Sequence, residues 1–329
     1  MDNKGKIINF CRELGLTTVG FTKCRKFKEL EVYFCERKEK GLANEFEEED
    51  IEKRINPFLL MEKGKTIISL AFPYKYDGYY SSKTGFSLYT YGLDYHRVVK
   101  GYLDKICRFI EELGGEAIGF VDSNPLPERY IAYLSGLGFI GKNNNLITKN
   151  YGSYVFLAEV ITSLELEEDK PIESQCGECD LCIKVCPTSA IIEEENQGNC
   201  NQCLSYITQK KHIEDQWFDK LKGRVFGCDT CQMICPYNKQ ALNSTIEEFH
   251  PQEYMLKGEL QDLIFLTNSD FKETFGKHSC GWRGKNILIR NALINYYNIH
   301  REDKDNIEKS ISSPYIKDYY EKLFKGNKC

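Results

Sequence analysis

The chain has 329 residues, of which 41% are hydrophobic, 13% aromatic and 28% charged, as in an ordinary soluble globular protein with apolar material for two or three cores. Its 44 Lys and Arg against 49 Asp and Glu give a net charge of −5, which excludes nucleic-acid binding through overall positive charge and leaves only a local patch. No apolar run approaches the roughly 18 residues that cross a bilayer, and the N-terminus resembles a charged helix rather than a signal peptide. We therefore expect a cytoplasmic protein with no membrane contact.

The predicted elements of the first half alternate between helices and strands. Apolar residues at helical spacing predict helices over residues 7–14, 27–40, 102–113 and 128–135. Apolar runs predict buried strands over residues 66–72, 117–121 and 151–162. Strands separated by helices are typical of an α/β or α+β domain.

After a charged linker that contains proline, the residue pattern changes twice, first to a cysteine-rich segment and then to helical spacing. Residues 171–240 hold most of the cysteines, and the remainder returns to helical spacing. Helices are predicted there over residues 271–275, 287–297 and 315–324. We therefore expect an α+β chain of three segments, over residues 1–170, 171–240 and 241–329.

Fifteen cysteines are too many for a chain that uses cysteine only as a small hydrophobic residue. Nine of them fall between Cys176 and Cys235. Thiols stay reduced in the cytoplasm, so a dense cluster there indicates metal binding rather than disulfides. The odd total also disfavours a fully paired disulfide framework.

The spacing of these cysteines predicts two [4Fe–4S] clusters. C-x2-C-x2-C-x3-C-P begins at Cys176, and in such a run three thiolates hold one cluster while the fourth reaches a second one. A mirrored element ends at Cys235-Pro236. The first predicted ligand set is Cys176, Cys179, Cys182 and Cys235. The second is Cys186, Cys228, Cys231 and either Cys203 or Cys200.

Zinc is the alternative, since paired C-x2-C elements also suit a tetrahedral site. A zinc site needs only four thiolates and gains nothing from the crossed arrangement before two prolines. The pattern therefore favours iron–sulfur clusters and one-electron chemistry.

A glycine-rich stretch from Gly136 to Asn143 matches two nucleotide-binding patterns superficially. G-x-G-x-x-G requires a strand before it and a helix after it, whereas here a helix precedes it and an extended segment follows. The phosphate-loop pattern fails at Asn143, where a hydroxyl is needed. We interpret the stretch as a tight turn that permits close approach to a large flat or anionic ligand.

Seven stretches together resemble the epoxyqueuosine reductases of tRNA modification. They follow one another in order and cover most of the chain between Asp50 and Pro236, and the sequence LIRNAL from Leu288 weakly resembles a helical repeat in that family's tail. The stretches are DIEKRINP from Asp50, YGLDYH from Tyr91, FVDSNPLPER from Phe120, GLGFIGKNNNLI from Gly136, the block from Cys176 to Pro187, CLSYIT from Cys203 and FGCDTCQMICP from Phe226.

This resemblance implies a reductive dehalogenase-like cobalamin domain in the first segment, a ferredoxin-like domain with two [4Fe–4S] clusters in the second, and a helical, HEAT-like tail that contacts tRNA. It implies reduction of the epoxide of epoxyqueuosine at the tRNA wobble position to queuosine, by cob(I)alamin that receives electrons from the clusters. It also implies an unidentified low-potential electron donor, and we expect a monomer.

The resemblance assigns residues as well. Asp122 corresponds to the proton donor, and burial would raise its pKa. Cys203 rather than Cys200 becomes the eighth cluster ligand. Cobalamin contacts are implied for Arg54, Ser87, Asp122, Arg129, Leu146, Ile147 and Thr148. His96 is interpreted equally well as a buried structural histidine or as a ligand contact.

Contact with tRNA needs a local basic patch in this acidic chain. Residues 277–290 contain four basic residues, including Arg283 and Arg290, and no acidic one. Trp282 lies among them and is suited to stacking on an unpaired base. Lys210 and Lys211 follow the predicted ligand Cys203 and add positive charge close to the clusters.

Two other functions remain open from the sequence. One is a reductive dehalogenase-like corrinoid enzyme that acts on a small organohalide. The other is a protein without catalysis, either a ferredoxin-like electron carrier or a zinc-dependent RNA-binding module. Bound cobalamin distinguishes the carrier from the enzymes, and a colourless protein would indicate zinc.

Overall fold

The computed structural model describes residues 2–77, 84–192 and 198–326. Its main sheet has four strands in the order β1-β2-β6-β3, and every neighbouring pair is antiparallel. A separate hairpin pairs β4 with β5. The strands are β1 Val19–Lys23, β2 Thr66–Pro73, β3 Ala117–Phe120, β4 Gly138–Ile140, β5 Leu146–Thr148 and β6 Val155–Thr162.

The α-helices pack on both faces of this sheet and recur through the second half of the chain. They are α1 Asn3–Glu13, α2 Glu31–Glu39, α3 Ile51–Ile55, α4 Tyr95–Glu112, α5 Glu128–Leu134, α6 Leu181–Val185, α7 Leu204–Ile207, α8 Thr230–Met233, α9 Pro236–Lys239, α10 Glu253–Lys257, α11 Asn268–Asp270, α12 Lys285–His300 and α13 Pro314–Tyr320. Short 3-10 turns join many of them, and the tail also has π-helical turns over Phe271–Phe275 and Glu321–Lys325.

Strand β2 is buried on both faces along its whole length, as its apolar run predicts. Ile68, Leu70 and Phe72 belong to the main hydrophobic cluster, whereas Ile67 packs on the opposite face in a smaller cluster that also holds Ile131 of α5. A strand that is covered on both faces has a nearly continuous apolar sequence. The sequence therefore identifies this central strand correctly.

Three sequence-based expectations need correction. The antiparallel sheet identifies the first segment as α+β rather than α/β. Strand β3 is only partly buried, because it forms an edge of the sheet. Within the glycine-rich stretch, Gly138–Ile140 is a strand rather than a turn, since Gly138 and Ile140 pair with β5.

Helix α12 is the long helix of the tail, and residues 287–296 along it are all buried. A helix that is buried all round forms the centre of its surroundings rather than a surface layer. The main hydrophobic cluster runs from Ile7 to Leu323 and draws on all three predicted segments. The exact boundaries of those segments stay a prediction. Among the described residues, no helix is both long enough and apolar enough to span a bilayer.

Candidate active site

A cavity of about 380 Å³ lies between the antiparallel sheet and the cysteine-rich segment. One wall carries the aromatic side chains of Tyr74, Tyr89, Tyr95 and Phe156. The opposite wall carries cysteine thiols, and the asparagines at positions 143–145 complete the rim. The cavity therefore joins an apolar face, a thiol face and a polar loop.

A cluster of titratable side chains adjoins this cavity through Tyr95. Asp94 is the N-cap of α4, and its Oδ1 lies 2.7 Å from Nδ1 of His96. Nε2 of His96 lies 3.0 Å from Oδ2 of Asp122, which also accepts the hydroxyl hydrogen bond of Tyr95. The ring of Tyr95 stacks on Phe156 with centroids 4.2 Å apart. Asp94, His96 and Asp122 thus form a continuous hydrogen-bonded chain, held in place by a tyrosine of the cavity wall.

The charge states of this chain differ from the sequence-based expectation. Burial alone would raise the pKa of Asp122, but hydrogen bonds from His96 and Tyr95 outweigh it and hold that pKa below its usual value. Hydrogen bonds to Asp122 and then to Asp94 raise the pKa of His96 to about 9. At neutral pH the proton of this group therefore rests on His96, between two carboxylates. The expected upward shift for Asp122 is wrong because the sequence did not reveal these two donors.

This arrangement makes a titration prediction for His96. Its raised pKa means that the ion pairs with both carboxylates are complete below the ordinary histidine pKa of about 6.5 and are lost as the pH rises through about 9. We expect the His96 ring signals in an NMR titration to move with a midpoint near 9. Replacing Asp94 with asparagine should lower that midpoint, because one carboxylate partner is removed. A midpoint near 6.5 in the native protein would contradict the hydrogen-bonded chain.

The first predicted set of cluster ligands is brought together in space. The thiols of Cys176 and Cys235 lie close enough to Cys182 for their charges to raise its pKa, although burial is the larger cause. The pKa of Cys235 is raised by burial and then, in part, by Cys176 and Cys179. Cys235 is supplied by the mirrored element, 53 residues beyond Cys182, as the crossed arrangement requires.

The second predicted set forms a neighbouring group. Burial raises the pKa of Cys231, and charges on Cys203, Cys228, Cys182 and Cys186 raise it further, so this group adjoins Cys182 of the first set. All four thiols of the second set line the cavity, whereas none of the first set does. Cys200 also lines the cavity, and its thiol lies 3.7 Å from a guanidinium nitrogen of Arg37. The second group is therefore the one placed to exchange electrons with a cavity ligand.

The spacing of the thiols bears on the zinc alternative. Four sulfurs around one zinc ion at about 2.3 Å lie about 3.8 Å from one another. Within the part of the chain that the structure describes, no three His, Cys, Asp or Glu side chains are close enough to share one metal ion. The spacing of the cysteines in the sequence remains the reason to prefer iron–sulfur clusters to zinc.

Of the residues implied for cobalamin, Ser87 and Arg129 line the cavity. Ser87 is buried and donates to Asp229, which lies between two predicted ligands of the second cluster. Gly227 has φ of +78°, and a Cβ there would lie 2.4 Å from the Cβ of Ser87. Only glycine allows this close approach between the cysteine segment and the cavity wall.

The other implied contacts lie further from the cavity. Leu146, Ile147 and Thr148 form β5 and are buried beneath the asparagine-rich rim. Arg54 lies in a second cavity, where it pairs with Glu47 at 3.0 Å and covers the ring of Phe34. The structure therefore brings Ser87 and Arg129 to the site and leaves Arg54 outside the main cavity.

The predicted RNA-contacting residues divide into an exposed group and a buried one. Trp282 is 56% exposed, and the guanidinium of Arg283 lies 4.8 Å from its ring centre. Lys211 is exposed, whereas Lys210 pairs with Glu214 at 3.2 Å.

Arg290 is fully buried and donates to the carbonyls of Thr208, Lys210 and Lys211. Its inclusion in a basic surface patch is therefore wrong. The guanidinium instead binds the peptide oxygens of the chain that follows α7.

Two further aromatic residues join Trp282. Phe46 is 41% exposed, and its ring centre lies 5.3 Å from Trp282 and 5.2 Å from Tyr206. We call Phe46, Tyr206 and Trp282 the aromatic platform. Tyr206 belongs to α7, whose first residues, Leu204 and Ser205, line the cavity. The platform therefore adjoins the candidate active site.

Sequence reasoning missed Tyr95, Asp94 and Phe46. The first two stand in the YGLDYH stretch, and an aspartate two residues before a histidine at the start of a helix is a recognisable N-cap signal. No local signal marks Phe46, because its partners come from segments more than 150 residues away.

Two family models and several curated relatives match this chain. The family described as "Epoxyqueuosine reductase QueG, DUF1730" matches residues 54–123, and a "4Fe-4S double cluster binding domain" matches residues 175–238. An epoxyqueuosine reductase of Bacillus cereus is 38% identical over 301 residues, which cover 88% of this chain and 79% of that protein. That of Lactococcus garvieae is 36% identical and covers 88% of this chain and 85% of its own length.

Solved structures agree with the sequence comparison. The epoxyqueuosine reductase of Streptococcus thermophilus superposes with a TM-score of 0.89 at 36% identity, covering 98% of this chain and 90% of that one. A crystal structure of epoxyqueuosine reductase with an epoxyqueuosine-modified tRNA-Tyr stem loop superposes with a TM-score of 0.90 at 32% identity, covering 98% and 89%. The chain therefore belongs to the epoxyqueuosine reductase family.

Proposed function

We propose that this protein reduces the epoxide of epoxyqueuosine at the wobble position of tRNA, which gives queuosine and water. Removing the epoxide oxygen as water takes two electrons and two protons. The observation that carries the proposal is one cavity with a proton-holding group, Asp94–His96–Asp122, beside one wall and a group of cluster-ligand thiols in the other. Family membership supplies the substrate class.

The cavity fits cobalamin, which we propose as the second cofactor. Its aromatic wall suits the flat face of a corrin, and the asparagine loop at positions 143–145 offers donors and acceptors to the amide arms of that ring. Ser87 and Arg129 would line the bound group. When bound, a reduced corrinoid supplies a strong nucleophile and converts single electrons into a two-electron change.

The protein's own residues hold one of the two protons and relay the other. The His96 imidazolium passes its proton to the ionised Asp122, which delivers it to the epoxide oxygen, and the partly exposed imidazole then takes the second proton from water. Asp94 keeps the imidazole ring oriented through its Nδ1–H. The oxygen released from the epoxide carbon is thus protonated by a group that carries a proton at neutral pH.

Recognition of tRNA falls to the aromatic platform and the cations around it. Arg283 lies over both Trp282 and Phe46, with guanidinium-to-ring distances of 4.8 and 5.4 Å. An unpaired anticodon-loop base can stack on exposed rings while arginine contacts its phosphate. Residues 241–329 are proposed to act as the tRNA-contacting, helical-repeat tail. A monomer in the cytoplasm and a separate low-potential electron donor complete the proposal.

Replacing Trp282 with alanine tests the platform. Stacking of a base on an aromatic ring contributes about 1–3 kcal/mol, so we expect the KM for the tRNA stem loop to rise roughly tenfold or more. Iron content should not change, because Trp282 lies outside both thiol groups. Trp282→Phe keeps an aromatic face and should retain most of the affinity. An unaltered KM in the alanine variant would contradict a stacking role.

One reconstitution experiment tests the whole proposal. The clusters are assembled anaerobically, cobalamin and a low-potential reductant are added, and epoxyqueuosine-containing tRNA is analysed by nucleoside mass spectrometry. We expect conversion of epoxyqueuosine to queuosine. Protein that holds its clusters and cobalamin but leaves the nucleoside unchanged would reject this substrate, and dehalogenation of small organohalides would then be assayed.

A further inference from the structure

A buried carboxyl group beneath the Asp122 loop has no role in the chemistry described above. Glu159 lies in β6 opposite Ser69 of β2 and Phe120 of β3, and its side chain is fully buried. Among the described residues, neither of its carboxyl oxygens has a hydrogen-bond partner of normal geometry. Burial of such a group costs stability unless another feature of the site uses it.

Glu128, the first residue of α5, binds the loop itself. Its Oε1 accepts from the backbone N–H of Asp122 at 2.8 Å and from the amide of Asn124 at 3.0 Å. Asp122 has φ of +49°, a left-handed conformation that costs energy for a residue other than glycine. One carboxylate therefore holds the strained residue and the next turn of the loop together.

The two glutamates lie against each other. Burial and then the charge of Asp122 raise the pKa of Glu128 to about 7, and burial and then the charge of Glu128 raise the pKa of Glu159 well above its usual value. Two adjacent buried carboxyls share one proton rather than both ionising. The proton belongs on Glu159, since Glu128 already accepts two N–H groups.

The remaining neighbours of the pair are few. Arg129 opposes the rise in the pKa of Glu128, and Ser69 opposes the rise for Glu159. His96 and Tyr95 contact Asp122 from the other side of the loop. The pKa of Glu128, near 7, thus lies below the pKa of His96 and above the pKa of Asp122.

We propose that Glu128 is the positioning residue that holds the Asp122 loop in its working conformation, with the protonated, uncharged Glu159 as its neighbour. Its catalytic consequence rests on the proposed function, in which Asp122 delivers the proton. When Glu128 takes up a proton, its acceptor strength falls and the strained turn is released. The loop is therefore held above about pH 7 and freed below it.

Hydrogen exchange tests this without any substrate. In the cluster-loaded protein, the peptide that covers residues 121–127 should exchange slowly above pH 7 and faster below it, after correction for the intrinsic pH dependence. Glu128→Gln should speed exchange roughly tenfold at pH 8, because a neutral acceptor replaces a charged one. Glu159→Gln is the matched variant: it replaces one uncharged side chain with another of the same size and leaves Glu128 in place, so exchange at pH 8 should stay within about threefold of the native rate.

The pH dependence separates positioning from general stability. Glu159→Gln keeps an uncharged side chain beside Glu128, so the acidic transition in exchange should stay near its native pH, whereas Glu128→Gln should abolish it. In turnover, Glu128→Gln should lower kcat roughly tenfold with an unchanged KM for the tRNA stem loop.

Native exchange in Glu128→Gln, or an acidic transition that persists in that variant, would overturn the proposal. The native pH profile of exchange tests it even if a variant does not fold. Normal exchange behaviour in a protein that leaves epoxyqueuosine unreduced would reject the proposed function and leave the positioning role intact.

Discussion

Replacing Cys203 with serine is expected to remove the second cluster and abolish turnover. Cys203 is a predicted ligand in the thiol group that lines the cavity, and burial raises the pKa of its thiol to about 11 in the absence of metal. Loss of one of two four-iron clusters should lower the iron content by roughly half, from about eight atoms per chain to about four. Iron analysis and the visible absorption spectrum of anaerobically purified protein measure this change.

Cys200→Ser provides the matched control for that variant. Cys200 lies three residues earlier and lines the same cavity, but its thiol contacts the guanidinium of Arg37. We expect the full iron content and near-native turnover in this control. If Cys200→Ser lost iron and Cys203→Ser kept it, the ligand assignment would be reversed.

Replacing Asp122 with asparagine should lower kcat by about 10²- to 10⁴-fold, the usual contribution of a positioned proton-transfer group. Asparagine keeps the size of the side chain, but its amide does not relay a proton from His96. Cluster content should remain unchanged, since Asp122 lies outside the thiol groups. Single-turnover assays with loaded protein separate this effect from substrate binding.

Ser123→Ala controls for disturbance of the same loop. Ser123 is exposed and follows Asp122 directly, so its replacement should change kcat by less than about twofold. A pH profile adds a second check: the native rate should fall as His96 loses its proton above about pH 9. Full activity in Asp122→Asn would remove this group from the mechanism.

Particular residues show how much of the fold the sequence predicts. The mainly apolar run over residues 66–72 predicts β2, because burial on both faces favours apolar residues at successive positions of the strand. The pattern over residues 128–135 likewise predicts α5. Strand direction was not accessible, since antiparallel pairing of β2 with β6 joins residues about 90 positions apart.

The basic surface patch predicted over residues 277–290 shows where the sequence misleads. Arg290 stands among cations in the sequence, yet α12 carries it into the interior, where peptide carbonyls bind its guanidinium. Charge along a chain predicts charge on a surface only where the element itself is exposed. Trp282 and Arg283 precede that helix and remain accessible.

By itself, the sequence predicted the two sets of cluster ligands and left only Cys203 or Cys200 open, since turns of two and three residues decide locally which sulfurs are able to face one cube. It also singled out Asp122 through the stretch around it. Only the tertiary structure decided the state of that carboxylate. Its proton affinity depends on His96 and Tyr95, which α4 brings to it only after the sheet has assembled, while Glu128 holds its backbone N–H.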